Sequence, residues 1–379
     1  VDFTFSEEQQ AAVEAAKAVF AGVAPDGVPS PSLTAGAVAD DFDRALWARL
    51  ADADLLSLPL DAEYGGAGLD AIALCLVLRE SAKVLARVPL LESTAAAMAV
   101  QSYGSPEVKG QLLARAGRGE LVLTVAANGR TGHDPAELAV TARQDGDASW
   151  VLDGVQTAVP WAHNVDFVVV PAHTHDTGRA VLALVPRVHE GVVLAEQIST
   201  TGERLGELRL ESVRIDGRYV LGADGAWEWL RELLATGTCA LALGLGEGVL
   251  GMTSAYTSKR EQFGFPVATF QAVAVQAADR YIDLRAMEAT LWQAAWRIST
   301  GAGGALPAAG DVAVAKIWAS EGVRRVVGTA QHLHGGFGAD TDYPLHRYHA
   351  WAKHLELSLG PAPAHEEALG DLLAAHPLG

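Results

Sequence analysis

Arg260, Gln262 and Phe263 stand close together in the stretch Arg260-Glu-Gln-Phe-Gly-Phe-Pro266, which runs on to Phe270-Gln271. A guanidinium offers a planar fork of donors that matches a phosphate, an amide adds a donor and an acceptor, and an aromatic ring packs on a sugar or ring system. Gln271 extends that polar set. A second group lies near the other end of the chain, in Gln331-His-Leu-His-Gly-Gly-Phe-Gly338, followed by Asp342-Tyr-Pro-Leu-His-Arg347. The paired Gly335 and Gly336 let a backbone approach a ligand closely, and amides exposed at such a turn bind anions, with Gln331 and His332 beside them. His332 and His334 do not read as a metal site, because two histidines at this spacing without carboxylates or cysteines are a poor zinc set. No metal is expected.

These groups need helices to carry them. Leu233 to Ala255 is free of proline, and in Ala272 to Arg297 the apolar Val273, Ala277, Tyr281 and Leu284 recur at helical spacing. Gly264 and Pro266 interrupt the two, so a helix hairpin carries the Arg260 group at its bend. Residues 1–120 also read as helices. Ser6 before Glu7 and Glu8 is a helix start, and Asp41–Leu56, Ala71–Leu85 and Glu107–Ala116 follow. Gly65-Gly66-Ala67-Gly68 closes Pro59-Leu-Asp-Ala-Glu-Tyr64. From Leu121 the character changes to short β-branched runs such as Leu121–Val125, Phe167–Val170 and Ala180–Val185, with Asp145-Gly and Asp153-Gly predicted as turns. Long helices resume at Trp227. Helix, sheet and helix in separate blocks is an α+β order, with domains expected at 1–120 (helical), 121–222 (β) and 223–379 (helical).

A chain of 379 residues, half of them apolar, buries a sizeable core. Its net charge of −18 argues against nucleic-acid and anionic-membrane partners, which require basic surfaces. Cys75 and Cys239 fall in apolar helical surroundings and are expected as buried free thiols, in keeping with a reducing cytoplasm. Neither a basic-then-apolar leader nor an apolar run able to span a bilayer is expected.

The three motifs in this order resemble the acyl-CoA dehydrogenase family over essentially the whole chain. Tyr103-Gly-Ser-Pro, Gly119-Glu-Leu-Val, Val220-Leu-Gly and Ala315-Lys-Ile-Trp-Ala-Ser-Glu321 support it. The resemblance implies an N-terminal helical domain, a middle β-barrel or sandwich domain and a C-terminal four-helix bundle. It implies FAD between the middle domain and the bundle, with the adenylate half held by the neighbouring subunit. It further implies α,β-dehydrogenation of an acyl-CoA thioester: a glutamate removes the α-proton, hydride passes to the flavin, and an electron-transfer flavoprotein accepts the electrons. By the same resemblance Arg260, Gln262, Phe263, Gln271, Gln331, His332, Gly335 and Gly336 are cofactor-binding.

The pattern then breaks. Counting from Tyr343-Pro344 puts the family's glutamate at Leu359, and the alternative position on the first bundle helix falls at Leu234. Neither leucine can take a proton, so no catalytic base is expected in this chain. Glu356 and Glu232 are nearby substitutes, displaced around the helix axis. The family's Thr-Glu-Pro...Gly-Ser-Asp segment, whose backbone and hydroxyls bind flavin and substrate, is replaced by Thr124 to Asp134. The Trp-Ile-Thr-Asn run against the flavin ring becomes Ala158-Val-Pro-Trp161. Retaining the lent adenylate half while losing base and ring face resembles the non-catalytic subunit of actinobacterial α2β2 heterotetrameric acyl-CoA dehydrogenases, associated with sterol side-chain β-oxidation. The implied partner is a catalytic acyl-CoA dehydrogenase subunit. Two other readings remain: a self-sufficient homo-oligomer using Glu356 or Glu232, and a non-enzymatic scaffold subunit.

Overall fold

Helix α1 (Glu7–Phe20) begins at a capping box in which the Ser6 hydroxyl accepts from the Gln9 N–H and the Gln9 amide oxygen accepts from the Ser6 N–H. α2 (Arg44–Asp52) is capped by Asp43, and α5 (Pro106–Gly117) by Ser105 with proline in its first turn. α3 (Ala71–Lys83) and α4 (Leu90–Tyr103) complete the N-terminal helices. The structure, a computed structural model, describes residues 4–31, 33–132, 137–146 and 148–377.

Contacts group the chain into two units. One contains the segment through Ala37, Cys75–Ala86 and everything from Ala235 onward; the other contains Val38–Leu74 and Arg87–Leu234. The second unit holds the sheet, formed by β1 (Leu123–Val125), β2 (Val140–Asp145), β3 (Ser149–Val159), β4 (Phe167–Thr174), β5 (Ala180–Pro186), β6 (Val192–Ile198), β7 (Arg204–Asp216) and β8 (Val220–Leu221). The strand order is β6-β7-β3-β2-β4-β5-β8, with β1 joining β4. The β1–β4 and β2–β4 pairs are parallel and the rest antiparallel. Val168, Val169 and Val170 are all fully buried, which explains why this strand reads as a continuous apolar run rather than an alternation. Asp153-Gly154, predicted as a turn, lies inside β3. There the ladder to β7 shifts register between Leu152 and Gly154, and the Asp153 carboxylate accepts from the Ser212 N–H at 2.7 Å.

The first unit is built on the part of α6 (Ala226–Lys259) from Ala235 onward, with α7 (Gln271–Thr300), α8 (Ala308–His334), α9 (Leu345–Leu357) and α10 (Ala362–Ala375). α6 passes so near the end of α3 that a Cβ on Gly244 would lie 2.0 Å from the Arg79 carbonyl oxygen, so only glycine fits. Charges gather at that crossing: Arg79 pairs with Glu247 and with Glu288 (3.2 Å), and Lys83 reaches Glu247 at 3.4 Å. The buried face of α7 follows Leu284, Met287, Leu291 and Trp292, whereas Tyr281, read as part of that face, is 55% exposed. By length and composition α6 could cross a membrane, but 78% of its most apolar window is buried within the protein. That is how a core helix reads. Cys75 and Cys239 are buried free thiols, as expected.

Candidate functional site

At the end of α6 the chain forms a small β-hairpin where the sequence suggested a plain bend between helices. β9 (Glu261–Gln262) and β10 (Phe265–Pro266) pair antiparallel with Gln262 opposite Phe265. The central residues Phe263 (φ 53°) and Gly264 (φ 81°) are both left-handed, the geometry of a tight primed turn. Left-handed backbone is costly for phenylalanine, and its ring is 90% exposed, edge-on to Phe270 at 6.4 Å. Backbone bonds pin the hairpin at its base: Arg260 N–H to Tyr256 oxygen (2.8 Å) and Val267 N–H to Arg260 oxygen (2.7 Å). The Arg260 side chain is exposed, and no ion pair engages it among the described residues. Gln271 opens α7 and is also exposed; the Gln262 amide donates to the Glu261 carbonyl at 2.7 Å.

The glycine turn is tied to this hairpin through Tyr256, one helical turn before Arg260. The Tyr256 ring stacks on His334 (4.3 Å) and on Phe337 (5.4 Å), and Phe337 packs on Tyr343 (4.4 Å). Gly335 (φ 60°, ψ −140°) ends α8 in a conformation that essentially only glycine adopts. Gln331 turns back onto the loop, its amide nitrogen donating to Gly338 oxygen (3.1 Å) and its oxygen accepting from Ala339 N–H (3.2 Å). His332 is exposed. His334 is a packing residue, with Nδ1 2.8 Å from Ala330 oxygen and Nε2 3.2 Å from the Tyr343 hydroxyl, and burial lowers its pKa. Two distant sequence motifs thus meet in one unit, presenting a cation, an exposed ring and a glycine turn.

The positions that the resemblance gives to a base look different. Leu234 is buried on α6, and Glu232, two residues before it, is half-buried. Leu359 sits just beyond α9 in a left-handed conformation (φ 57°), its carbonyl 2.9 Å from His365 Nε2. The Glu356 carboxylate lies 2.6 Å from Lys353 Nζ, while its carbonyl accepts from Lys316 Nζ (3.2 Å) and the Ser320 hydroxyl (3.1 Å). Lys316 is fully buried and also donates to Leu355 oxygen at 3.2 Å. Burial brings its pKa down to about 8 and pushes the neighbouring Cys239 thiol up to about 12. Lys316 therefore caps the end of α9, and its lone charge in an otherwise apolar run was the sequence signal.

In the sheet unit the stretch from Thr124 is described through Gly132; His133 and Asp134 lie outside the described residues. The bend at the end of β3 is closed on itself. Ala158 N–H donates to Gln197 Oε1 (2.8 Å), Ala158 oxygen accepts from Asn128 Nδ2 (2.9 Å), and Pro160 oxygen accepts from the Thr124 hydroxyl (2.8 Å). Trp161 is buried, with Nε1 3.2 Å from Glu92 Oε2. Glu92 as a residue is only half-buried, yet its carboxyl is enclosed; burial raises it to about 7, against the lowering effect of its backbone and Trp161 hydrogen bonds. Sequence reading missed Glu92, although a single acid in the apolar run Leu90–Val100 marks it.

Helices, a middle sheet and more helices give the architecture of acyl-CoA dehydrogenases, a class of flavin-dependent oxidoreductases. The profile of the acyl-CoA dehydrogenase N-terminal domain matches residues 6–120 and that of the C-terminal domain residues 232–371. The chain belongs to the acyl-CoA dehydrogenase family, FAD-dependent oxidoreductases acting on the CH–CH group of acyl-CoA thioesters. It is 38% identical over 341 residues to acyl-CoA dehydrogenase FadE27 of Mycobacterium tuberculosis, covering 89% of this chain and 90% of that one. It is similar to a chain of the ChsE4–ChsE5 complex from Mycobacterium tuberculosis (TM-score 0.90, 36% identity, all of both chains covered). It also resembles a variant of the Tcur3481–Tcur3483 steroid ACAD (TM-score 0.88, 36% identity, 97% of this chain and 98% of that one).

The chain's own groups fit FAD unequally. Around Arg260 an exposed guanidinium, an exposed ring and a glycine turn suit a phosphate and a heterocycle. At Ala158–Trp161 the Ala158 N–H and carbonyl, the Pro160 carbonyl and the Trp161 indole are already engaged within the chain, which suits a flavin ring poorly.

Proposed function

We propose that this chain is the non-catalytic subunit of a heteromeric acyl-CoA dehydrogenase. Arg260, Gln262, Phe263, Gln271 and the turn at Gln331, His332, Gly335 and Gly336 serve the adenylate half of an FAD whose ring lies on the partner subunit. FAD supplies hydride acceptance when bound; the partner supplies the base. One observation carries the reading: leucines stand where the family resemblance places the base, while Phe263 is held, at a cost in backbone strain, outward on the Arg260 hairpin.

The likeness to the ChsE4–ChsE5 complex and to a Tcur3481–Tcur3483 steroid ACAD supports an α2β2 assembly with a catalytic subunit and a sterol-derived acyl-CoA as substrate. Electrons leave to an electron-transfer flavoprotein, and the assembly works in the reducing cytoplasm, where Cys75 and Cys239 stay as thiols. Arg260→Ala in the co-expressed assembly tests the reading. The variant folds, because the side chain is exposed, and loses FAD; an unchanged FAD content contradicts it.

A further inference from the structure

The bend Thr157–Trp161 combines two rare features. Ala158 (φ 49°) and Trp161 (φ 57°) are non-glycine residues in the left-handed region, held there by their surroundings. Those surroundings take up the bend's polar groups. Thr157 N–H donates to Gly129 oxygen at 2.8 Å, and the Thr157 hydroxyl lies 3.0 Å from Gln197 Nε2. Ala158 has both backbone groups bonded, to Gln197 and Asn128, and Pro160 has no N–H to give. The one large ring of the bend, Trp161, is turned into the protein, edge-on to Phe42 at 6.1 Å with its N–H on Glu92.

A flavin ring needs free donors and acceptors along its polar edge and a flat apolar face against its body. At Thr157, Ala158 and Pro160 this bend commits its polar groups to partners in the chain, and its one large ring faces inward. We infer that Trp161, pinned by Glu92 and Phe42, and Gln197, pinned to Ala158, keep a flavin ring off this chain's own sheet unit. They thereby decide which of the two subunit types holds the ring. The inference rests on the heteromeric reading above and explains it at the level of named residues: the chain is a one-way lender of cofactor contacts.

The test uses the co-expressed assembly. FAD is released by denaturation and quantified per heterodimer, and the assembly is titrated with added FAD by calorimetry and by quenching of flavin fluorescence. The unaltered assembly binds about one FAD per heterodimer, and Trp161→Asn in this chain adds a second binding event, taking the content towards about two. Trp161→Phe keeps the ring against Phe42 and stays at one. Should Trp161→Asn fail to assemble, Gln197→Ala is the deciding variant, because it frees the Ala158 N–H from a half-buried edge-strand residue. A second event with either opening variant supports the inference; its absence in every variant that assembles overturns it. Arg260→Ala separates the two claims. If it empties the assembly while the opening variants stay at one, the blocked-ring inference fails and the lending role stands. If it leaves FAD unchanged, the lending role fails.

Discussion

Lys316 Nζ donates to the backbone oxygen of Glu356 across 3.2 Å, while the Glu356 carboxylate faces Lys353 at 2.6 Å. Both ends of this glutamate are therefore engaged in ending α9. A base for α-proton removal must reach the substrate carbon, and a carboxylate tethered to its own helix at i−3 is poorly placed to do so. Glu356→Gln should leave FAD content and turnover of the assembly unchanged and cost less than about 1 kcal/mol of stability, because partly exposed ion pairs contribute little. Steady-state assay with an acyl-CoA checks it; a collapse of turnover with FAD retained would restore the self-sufficient reading.

Lys316 itself is structural. Lys316→Met keeps volume but leaves the Leu355 and Glu356 carbonyls without their buried donor, for an expected loss of about 2–4 kcal/mol in denaturant unfolding. The sign of the pH effect follows from its lowered pKa. Between about 8 and its ordinary 10.5 the unfolded chain holds a proton that the folded chain does not, so stability rises with pH across that window. The methionine variant should lose that rise.

Phe263 separates stability from function. Asparagine tolerates left-handed backbone far better than phenylalanine, so Phe263→Asn should leave the chain as stable or raise its stability by about 1 kcal/mol. The same change removes an exposed ring and should weaken FAD retention in the assembly, measured by dialysis and absorbance. Unchanged retention would mean the ring serves something else.

Much of this was legible in the sequence because local rules dominate it. The Ser6 cap, the β-branched runs of the sheet and the Gly335 turn follow from residue types within a few positions. What the sequence did not reveal depended on distant partners. Asp153-Gly154 reads as a turn by itself, yet β2 and β7 flank it and hold it in a strand. Tyr281 fits a helical apolar period, but the period alone cannot say how wide the buried face is. The leucines at the two positions that the family resemblance gives to the base were readable by counting along the chain. The closure of the Ala158–Trp161 bend was not, since Gln197 lies 39 residues from Ala158 and Glu92 lies 69 from Trp161.

Glu92 gives a pH signature. Its folded pKa of about 7 lies above the ordinary 4.5, so the folded chain holds the extra proton between those values and stability falls as pH rises through that window. Glu92→Gln keeps an acceptor for Trp161 and removes the ionisation. The variant should match the parent near about pH 4.5 and exceed it by up to about 3 kcal/mol above about pH 7. Parallel melting curves with no pH-dependent gap would contradict this.

In the proposed assembly, cofactor binding and catalysis belong to a pair of unlike subunits. The visible absorption spectrum and native mass of the chain, purified alone and then co-expressed with a catalytic acyl-CoA dehydrogenase subunit, test it most directly. The expected result is a colourless lone chain and a yellow heterotetramer with about one FAD per heterodimer. A yellow lone chain with one FAD per polypeptide, bleached by an acyl-CoA, would contradict it.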